Sequence, residues 1–374
     1  MIMATDNKNK VLNVPNLRFP EFCEEWMRCT LGDITENFSR RNKEEIHYPM
    51  FSVTNNKGFI PQSEQFEDRE MIGEDIKAYK IIHKDDFAYN PARINVGSIA
   101  KYNEENPCMI SSLYVCFKTN PKIDNDWIMQ LLKTPKMNFY YNINGEGGVR
   151  IYLFYPNFAR IKTSYPTLKE QQKISSFLTL LDERISTQNK IIEQLQSLIK
   201  GIVVSITTET PNTRIDKCLV CHSSTLQENH IEDFGDFPVY GANGICGYTV
   251  NADFNEPAIL IVKDGSGVGN VRFVNAKYSV IGTQNILTPQ NRFCLKYIFY
   301  CLQAFNFMPY KTGMAIPHIY FKDYGKTKIY CPNFEQQVKI ASQIDLIESK
   351  IEIETQLLNK YEEQKKFLLS NMFI

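Results

Sequence analysis

Pro166-Thr167-Leu168-Lys169-Glu170-Gln171-Gln172-Lys173-Ile174 returns after a shift of 166 residues as Pro332-Asn333-Phe334-Glu335-Gln336-Gln337-Val338-Lys339-Ile340. An apolar set with alternating four-three spacing follows the first copy: Ile174, Leu178, Leu181, Ile185, Ile192, Leu195, Ile199, Ile202 and Ile206, with polar Gln188 inside it. The same shift gives Ile340, Ile344, Ile347, Ile351, Leu358, Tyr361, Lys365, Leu368 and Met372, with Glu354 at the polar position. This is the spacing of a coiled-coil seam. Pro166 and Pro332 stand where a helix starts, because proline lacks only a donor unused there. Glu170 and Glu335 put negative charge near the first turn, where the helix dipole favours it.

Each segment predicts a helix of about 40 residues, roughly 60 Å long at about 1.5 Å per residue. A helix with one narrow apolar stripe must bury it against a partner, and the obvious partner is the other copy. Antiparallel pairing about a pseudo-dyad brings the two middles together. Gln188 and Glu354 are then expected to meet and fix the register, as a polar seam residue does; the alternative is that each tips toward solvent. Two struts of matching length suit a measurement of distance between two sites better than one reaction in one cleft.

Between the struts lie mixed regions, and the expected division is 1–13 as a tail, 14–165, a helix over 166–207, 208–331, and a second helix over 332–374. Strand candidates in the first region are Met50–Val53, Asp86–Tyr89, Ser98–Tyr102 and Ser112–Phe117. In the second they are Phe237–Tyr240, Ala258–Val262, Asn270–Val274 and Asn285–Leu287. A helix candidate closes each set, at Trp127–Leu132 and Leu295–Gln303. The class is α+β, built as two pseudo-symmetric mixed domains separated by two long antiparallel coiled-coil helices. The repeat reaches into these regions weakly: Asn95-Val96-Gly97 matches Gly267-Val268-Gly269, and Gly147 matches Gly313.

The chain has 374 residues and 43% hydrophobic content, enough for two or more globular domains. Its 42 basic and 42 acidic residues cancel, so any nucleic-acid face must come from local distribution or from partners. The stretch Met1 to Lys10 lacks the apolar core of a signal peptide. The longest apolar runs, such as Ala258 to Val262, are strand length, so no membrane span is expected. Ten cysteines without a regular framework read as reduced thiols of a cytoplasmic protein.

These residues reach a known family. The chain resembles the specificity subunit of a type I restriction-modification system, in the full-length form with two target recognition domains. The likeness runs through Val14-Pro15-Asn16-Leu17-Arg18-Phe19-Pro20-Glu21-Phe22, Trp26 and Leu31-Gly32-Asp33-Ile34. It continues in Tyr240-Gly241-Ala242-Asn243-Gly244, Gly247-Tyr248 and Ile261-Val262-Lys263-Asp264-Gly265. The proline-led helix starts are its most specific element. The second copy departs in having Val338 where the first has Gln172, and its domain opens at Arg214-Ile215-Asp216-Lys217 without an Arg-Phe-Pro-Glu-Phe lead-in.

The resemblance implies that each domain reads one half of a split double-stranded DNA target, with the helices setting the gap. It implies docking of modification subunits that methylate adenine, and of a restriction motor-nuclease subunit. S-adenosylmethionine, ATP and Mg belong to those partners, and this chain itself does no chemistry. Two other classes stay open on the residues alone: a methyltransferase or nuclease with intrinsic activity, and a coiled-coil adaptor that binds only proteins.

The enzymatic near-misses favour the non-catalytic reading. Asp264-Gly265-Ser266-Gly267-Val268-Gly269 looks like a cofactor loop, but a strand pattern follows where a helix is needed. Asn90-Pro91-Ala92-Arg93 lacks the second proline and the aromatic that would stack a flipped adenine. Gly325-Lys326-Thr327 would need a glycine at Tyr320 to form a phosphate loop. Cys218-Leu219-Val220-Cys221-His222 has the form of a haem attachment or, with His230, part of a zinc site, but no second cysteine pair completes it. Glu348-Ser349-Lys350, the possible end of a nuclease motif, falls on the coiled coil.

Base reading in the major groove uses Arg or Lys for guanine and Asn or Gln for adenine, while phosphates take Arg, Lys, Ser, Thr and backbone amides. In the first region the candidates are Asn90, Arg93 and Asn95, then Arg150 with Tyr152; Arg40, Arg41 and Lys43 are phosphate candidates. In the second they are Tyr240, Asn243, Lys263, Ser266, Asn270 and the Thr312 to His318 stretch. For each, the plain alternative is an ordinary polar surface residue.

Overall fold

A computed structural model of the chain describes residues 12–65, 76–148, 150–227, 231–290, 292–313 and 316–374. The chain divides into two compact units: Met1–Thr187 with Leu358–Ile374, and Gln188–Leu357. Each long helix therefore contributes one part to each unit.

Unit 1 opens with β1 (Met27–Thr30), a single turn α1 (Leu31–Ile34) and β2 (Thr35–Phe38). The hairpin β3 (Phe51–Thr54) and β4 (Gly58–Pro61) follows, then α2 (Gln62–Gln65). Strands β5 (Lys80–Ile82), β6 (Phe87–Tyr89), β7 (Ile99–Lys101), β8 (Cys108–Ile110) and β9 (Val115–Thr119) come next. Helices α3 (Asn125–Leu132), α4 (Pro135–Asn144) and α5 (Tyr155–Ala159) and strand β10 (Lys162–Tyr165) lead into α6 (Leu168–Thr207). The main sheet has the order β2-β9-β6-β7 and is antiparallel throughout.

Unit 2 repeats this plan. It has β11 (Thr213–Arg214), α7 (Ile215–Cys218), β12 (Leu219–Ser223) and the hairpin β13 (Phe237–Gly241) and β14 (Gly244–Thr249). Then come β15 (Ala258–Val262), β16 (Val271–Val274), β17 (Ser279–Val280) and β18 (Gln284–Pro289). Helices α8 (Leu295–Gln303) and α9 (Phe321–Tyr324) and strand β19 (Lys328–Ile329) lead into α10 (Phe334–Asn371). Its main sheet, β12-β18-β15-β16, has the same order and the same antiparallel sense as that of unit 1. The short pairs β1–β10 and β11–β19 also correspond.

The central strands are apolar because both sheet faces are covered. Phe87 and Tyr89 of β6 face one core cluster, and Ala88 between them faces another. Ile259 and Ile261 of β15 divide from Ala258 and Leu260 in the same way. Alternate side chains of a strand leave on opposite faces, so covering both faces turns an alternating pattern into a continuous apolar run.

The long helices start two residues later than their prolines. Thr167 O accepts the first helical bond from Gln171 N–H (3.0 Å), and Asn333 O does so from Gln337 N–H (3.0 Å). Asn333 also caps α10 with its side chain, accepting from Gln336 N–H at 2.9 Å. The prolines therefore precede the caps, and their carbonyls accept from the Gln171 and Gln337 amides at 2.9 and 2.8 Å. Each of these glutamines also accepts the backbone N–H at the cap of the globular helix beside it: Asp124 before α3 at 2.8 Å, and Cys294 before α8 at 3.0 Å. Glu170 does more than meet a helix dipole. It is buried, accepts from Arg18 Nε and Nη2 at 2.7 Å each and receives Trp26 Nε1–H at 3.3 Å.

The two struts run antiparallel within each unit. In unit 1, Arg184 Nη1 donates to Tyr361 Oη (3.4 Å), and Lys365 pairs with Asp182. That pairing accounts for a lysine on the seam. In unit 2, Ile199, Ile202 and Ile206 share a core with Ile340 and Ile344. Gln188 Nε2 donates to the Glu354 carbonyl (3.1 Å) and to the Glu354 carboxylate, and both residues are buried. Lys350 first, and Gln188 second, hold the Glu354 carboxyl below the ordinary carboxylate range.

Candidate nucleic-acid interface

In unit 1 the candidates gather on two loops. The first, residues 90–97, leaves the end of β6. Asn90 Oδ1 accepts Ala92 N–H at 3.0 Å and so shapes the turn, while Arg93 is exposed. Asn95 Nδ2 donates to Asn142 Oδ1 on α4 at 3.0 Å. The second loop is closed by reciprocal bonds, Glu146 N–H to Tyr152 O (2.9 Å) and Tyr152 N–H to Glu146 O (2.8 Å). Gly147 has φ +112°, and a Cβ there would stand 2.3 Å from Arg150 O, so only glycine fits. Arg150 is exposed at the tip, and Tyr152 stacks on Phe154 with ring centroids 6.2 Å apart. Leu153 N–H donates to Pro91 O at 2.9 Å, seating the second loop on the first.

Unit 2 carries the same pair. The loop over residues 263–270 leaves the end of β15 and turns back into β16, as its sequence predicts. The closed loop is again bounded by reciprocal bonds, Thr312 N–H to His318 O (2.9 Å) and His318 N–H to Thr312 O (2.8 Å). Gly313 has φ +89°, with Ile316 O 2.4 Å from a Cβ position. Ile319 N–H donates to Lys263 O at 2.9 Å, the counterpart of the Leu153–Pro91 bond. His318 Nδ1 meets Asp264 Oδ1 at 2.7 Å, which fixes the imidazole across the two loops. Ser266 and Asn270 are exposed. Val149, Met314 and Ala315 lie outside the described residues.

Tyr240 and Asn243 sit on the β13–β14 hairpin beside this edge. Gln284, paired with Val262 in the sheet, donates Nε2–H to Tyr240 O at 3.1 Å. The Arg272 guanidinium stands 5.9 Å from the Tyr240 ring centroid and against the turn glycine Gly244. The unit 1 counterpart of this hairpin is β3–β4; its first strand matches the candidate Met50–Val53, while β4 and the turn were not read from the sequence. Its turn residues Asn55, Asn56 and Lys57 line, together with Asn90 and Arg93, a cleft of about 690 Å³. The available signal was the shared lead-in of Tyr48-Pro49-Met50-Phe51 and Phe237-Pro238-Val239-Tyr240.

Arg40 and Arg41 are not brought to these loops. Arg40 Nη1 donates to Asp86 Oδ2 (2.9 Å) and Ile81 O (3.2 Å), and the guanidinium lies 4.8 Å from the Phe38 ring centroid. Asp86 precedes β6, at the opposite end from Asn90. The backbone of Arg41 bridges Lys80 there, and its side chain is exposed.

The cysteine motif is dispersed. Cys218 Sγ lies 3.8 Å from Cys331 Sγ; that contact first, and burial second, hold the Cys218 thiol above its ordinary value. Burial pushes Cys221 up to about 11. Among the described residues no group of three or more His, Cys, Asp and Glu side chains is placed to hold a metal ion. His222 Nε2 is 2.9 Å from Thr288 Oγ1, and His230 lies outside the described residues. Among the described residues no helix is long and apolar enough to cross a membrane.

Two units of one topology, each presenting paired polar loops and joined by two antiparallel coiled-coil helices, define a duplicated recognition protein. The comparisons say of which kind. The model of the type I restriction modification DNA specificity domain matches residues 23–197 and 220–363, and the chain belongs to that family. A putative type I restriction enzyme MjaX specificity subunit of Methanocaldococcus jannaschii is 22% identical over 415 residues, covering 96% of this chain and 95% of its own length. The crystal structure of a type I restriction-modification S subunit from M. genitalium superposes with a TM-score of 0.63 at 15% identity, covering 96% of this chain and 99% of that one. A chain from a study of complex assembly and conformational transition of the type I system gives 0.56 at 12% identity, covering 93% and 97%. The protein is thus a non-catalytic DNA specificity subunit, of a family whose cofactors belong to partner subunits.

Proposed function

We propose that the chain reads a bipartite double-stranded DNA target, one half-site per unit, and docks the subunits that act on it. The observation that carries this reading is the recurrence of the two-loop edge, with the same closing bonds and the same positive-φ glycine, at the end of the corresponding central strand of both units. The target recognition domains are residues 14–165 and 208–331. In the first, Asn90, Arg93, Asn95, Arg150 and Tyr152 form the reading edge; in the second, Tyr240, Asn243, Lys263, Ser266, Asn270 and His318 do. Arg41 remains a phosphate contact, whereas the guanidinium of Arg40 serves Asp86.

The helices over 166–207 and 332–374 set the unspecified gap, and the Gln188–Glu354 contact fixes their register. Adenine methyltransferase subunits dock along these helices. Support comes from apolar side chains off the seam that are exposed at matching repeat positions: Leu168 with Phe334, and Leu180 (61% exposed) with Leu346 (71%). Two matching patches suit two copies of one partner. A restriction motor-nuclease subunit completes the complex, which acts on cytoplasmic DNA.

Substitution tests the placement. In a complex with the methyltransferase subunit of its own system, Arg93→Ala and Lys263→Ala each weaken duplex binding, by about tenfold where the side chain contacts a base. Full affinity in both variants would refute the assignment of these loops.

A further inference from the structure

We infer that the β3–β4 turn of unit 1, Asn55-Asn56-Lys57, is a specificity-determining element for that unit's half-site. This rests on the DNA-reading role proposed above and adds a third element to the two loops.

The turn has a counterpart in unit 2. The β3–β4 and β13–β14 hairpins occupy the same place in the chain, after the first strand of the main sheet and before its central strand. Met50, just before β3, forms a parallel bridge with Met109 of β8, and β13 runs parallel to β17. In each unit that parallel neighbour follows the edge strand of the main sheet, β7 or β16.

The turn is held in place against the reading loop. Ser98 Oγ donates to Val53 O at 2.7 Å, and that hydroxyl is buried. Gly97 has φ +100°, and a Cβ there would lie 3.0 Å from Asn55 O. Glycine is thus required both by the backbone and by the closeness of the turn. Thr54 Oγ1 accepts Lys57 N–H (3.2 Å) and donates to Gly58 O (3.1 Å), so the hairpin satisfies its own backbone. Asn55, Asn56 and Lys57 stay exposed and line the same cleft as Asn90 and Arg93.

The chemistry is that of base edges. An Asn amide offers one donor and one acceptor in the geometry of adenine N7 and N6, and a lysine serves guanine O6 and N7. Two consecutive amides point to an A·T pair at the position the turn reads. The unit 2 turn offers Ala242 and Asn243 with Arg272 behind them, so the two half-sites differ.

The test maps methylated adenines for the full chain co-expressed with the methyltransferase subunit of its system. Asn55→Ala with Asn56→Ala relaxes one or two positions of one half-site, by about tenfold in preference. The gap and the other half-site stay as they are, and their retention shows that the complex is folded. Asn56→Asp keeps the shape and turn tolerance but loses the amide donor, so it moves preference away from adenine; it carries the test alone if the alanine pair does not assemble. An unchanged motif in these variants overturns the inference, as does equal damage to both half-sites. A wild-type complex without a split motif would sink the underlying reading instead.

Discussion

Gln171→Ala is the sharpest test of how the struts are built into the units. Gln171 is fully buried. Its side chain accepts Asp124 N–H at 2.8 Å and donates to Pro166 O at 2.9 Å and Lys122 O at 3.1 Å. Alanine removes all three bonds and strands the cap of α3. At about 1 kcal/mol net per bond, with a further cost for a buried donor left unpaired, the loss is about 2–4 kcal/mol. Gln337 makes two bonds of this kind, to Cys294 N–H and Pro332 O, so Gln337→Ala costs less, about 1–3 kcal/mol. Exposed Gln172 provides the control, at about 0.5 kcal/mol or below. The two tryptophans, Trp26 and Trp127, are buried in the core of unit 1, so urea unfolding followed by their fluorescence reports that unit. The transition moves to lower urea by about 1 M or more in Gln171→Ala, and responds little to Gln337→Ala. A Gln171→Ala midpoint equal to that of Gln172→Ala would refute the reasoning.

The remaining predictions use the same pieces. Removing the facing heptads 189–195 and 347–353 shortens the struts by about 10 Å at about 1.5 Å per residue. The methylated motif then loses about three base pairs of its gap, at about 3.4 Å each, with both half-sites unchanged. Glu354 is held below the ordinary carboxylate range by Lys350 and then Gln188. Its stabilising contribution is therefore full above the unfolded value and disappears as pH falls through the lowered one. The urea midpoints of wild type and Glu354→Gln, followed by helical circular dichroism because both tryptophans report unit 1, differ at pH 7 and converge in acid below the carboxylate range. Arg40→Ala lowers the stability of unit 1 by uncovering buried Asp86. It leaves the salt dependence of DNA binding unchanged, whereas loss of a phosphate contact would lower its slope by about one.

What the sequence disclosed follows from range. The seam over Ile174 to Ile206 is a local period, so it and its repeat can be read from one dimension. Strand β15 was legible because burial on both faces makes it continuously apolar, and α8 because its apolar spacing is helical. The loops at Gly147 and Gly313 were visible through their glycines, but their seating on residues 91 and 263 was not, since those bonds span distant stretches of chain. Arg40 illustrates the same limit: its partner Asp86 lies 46 residues away, and next to Arg41 it reads as a free basic pair. Glu170, read from its place in the first helical turn, has its real partner 152 residues away in Arg18. The turn Asn55-Asn56-Lys57 carries no signal of its own in the sequence, because its position is set by Gly97, about forty residues away in the chain.

The central claim is that two reading units are held at a fixed spacing. It is tested most directly by co-purifying the chain with its methyltransferase subunit and mapping methylated adenines across a genome by single-molecule sequencing. The account predicts a split motif, two specified half-sites around one fixed unspecified gap. A continuous motif, or no motif in an assembled complex, would contradict it.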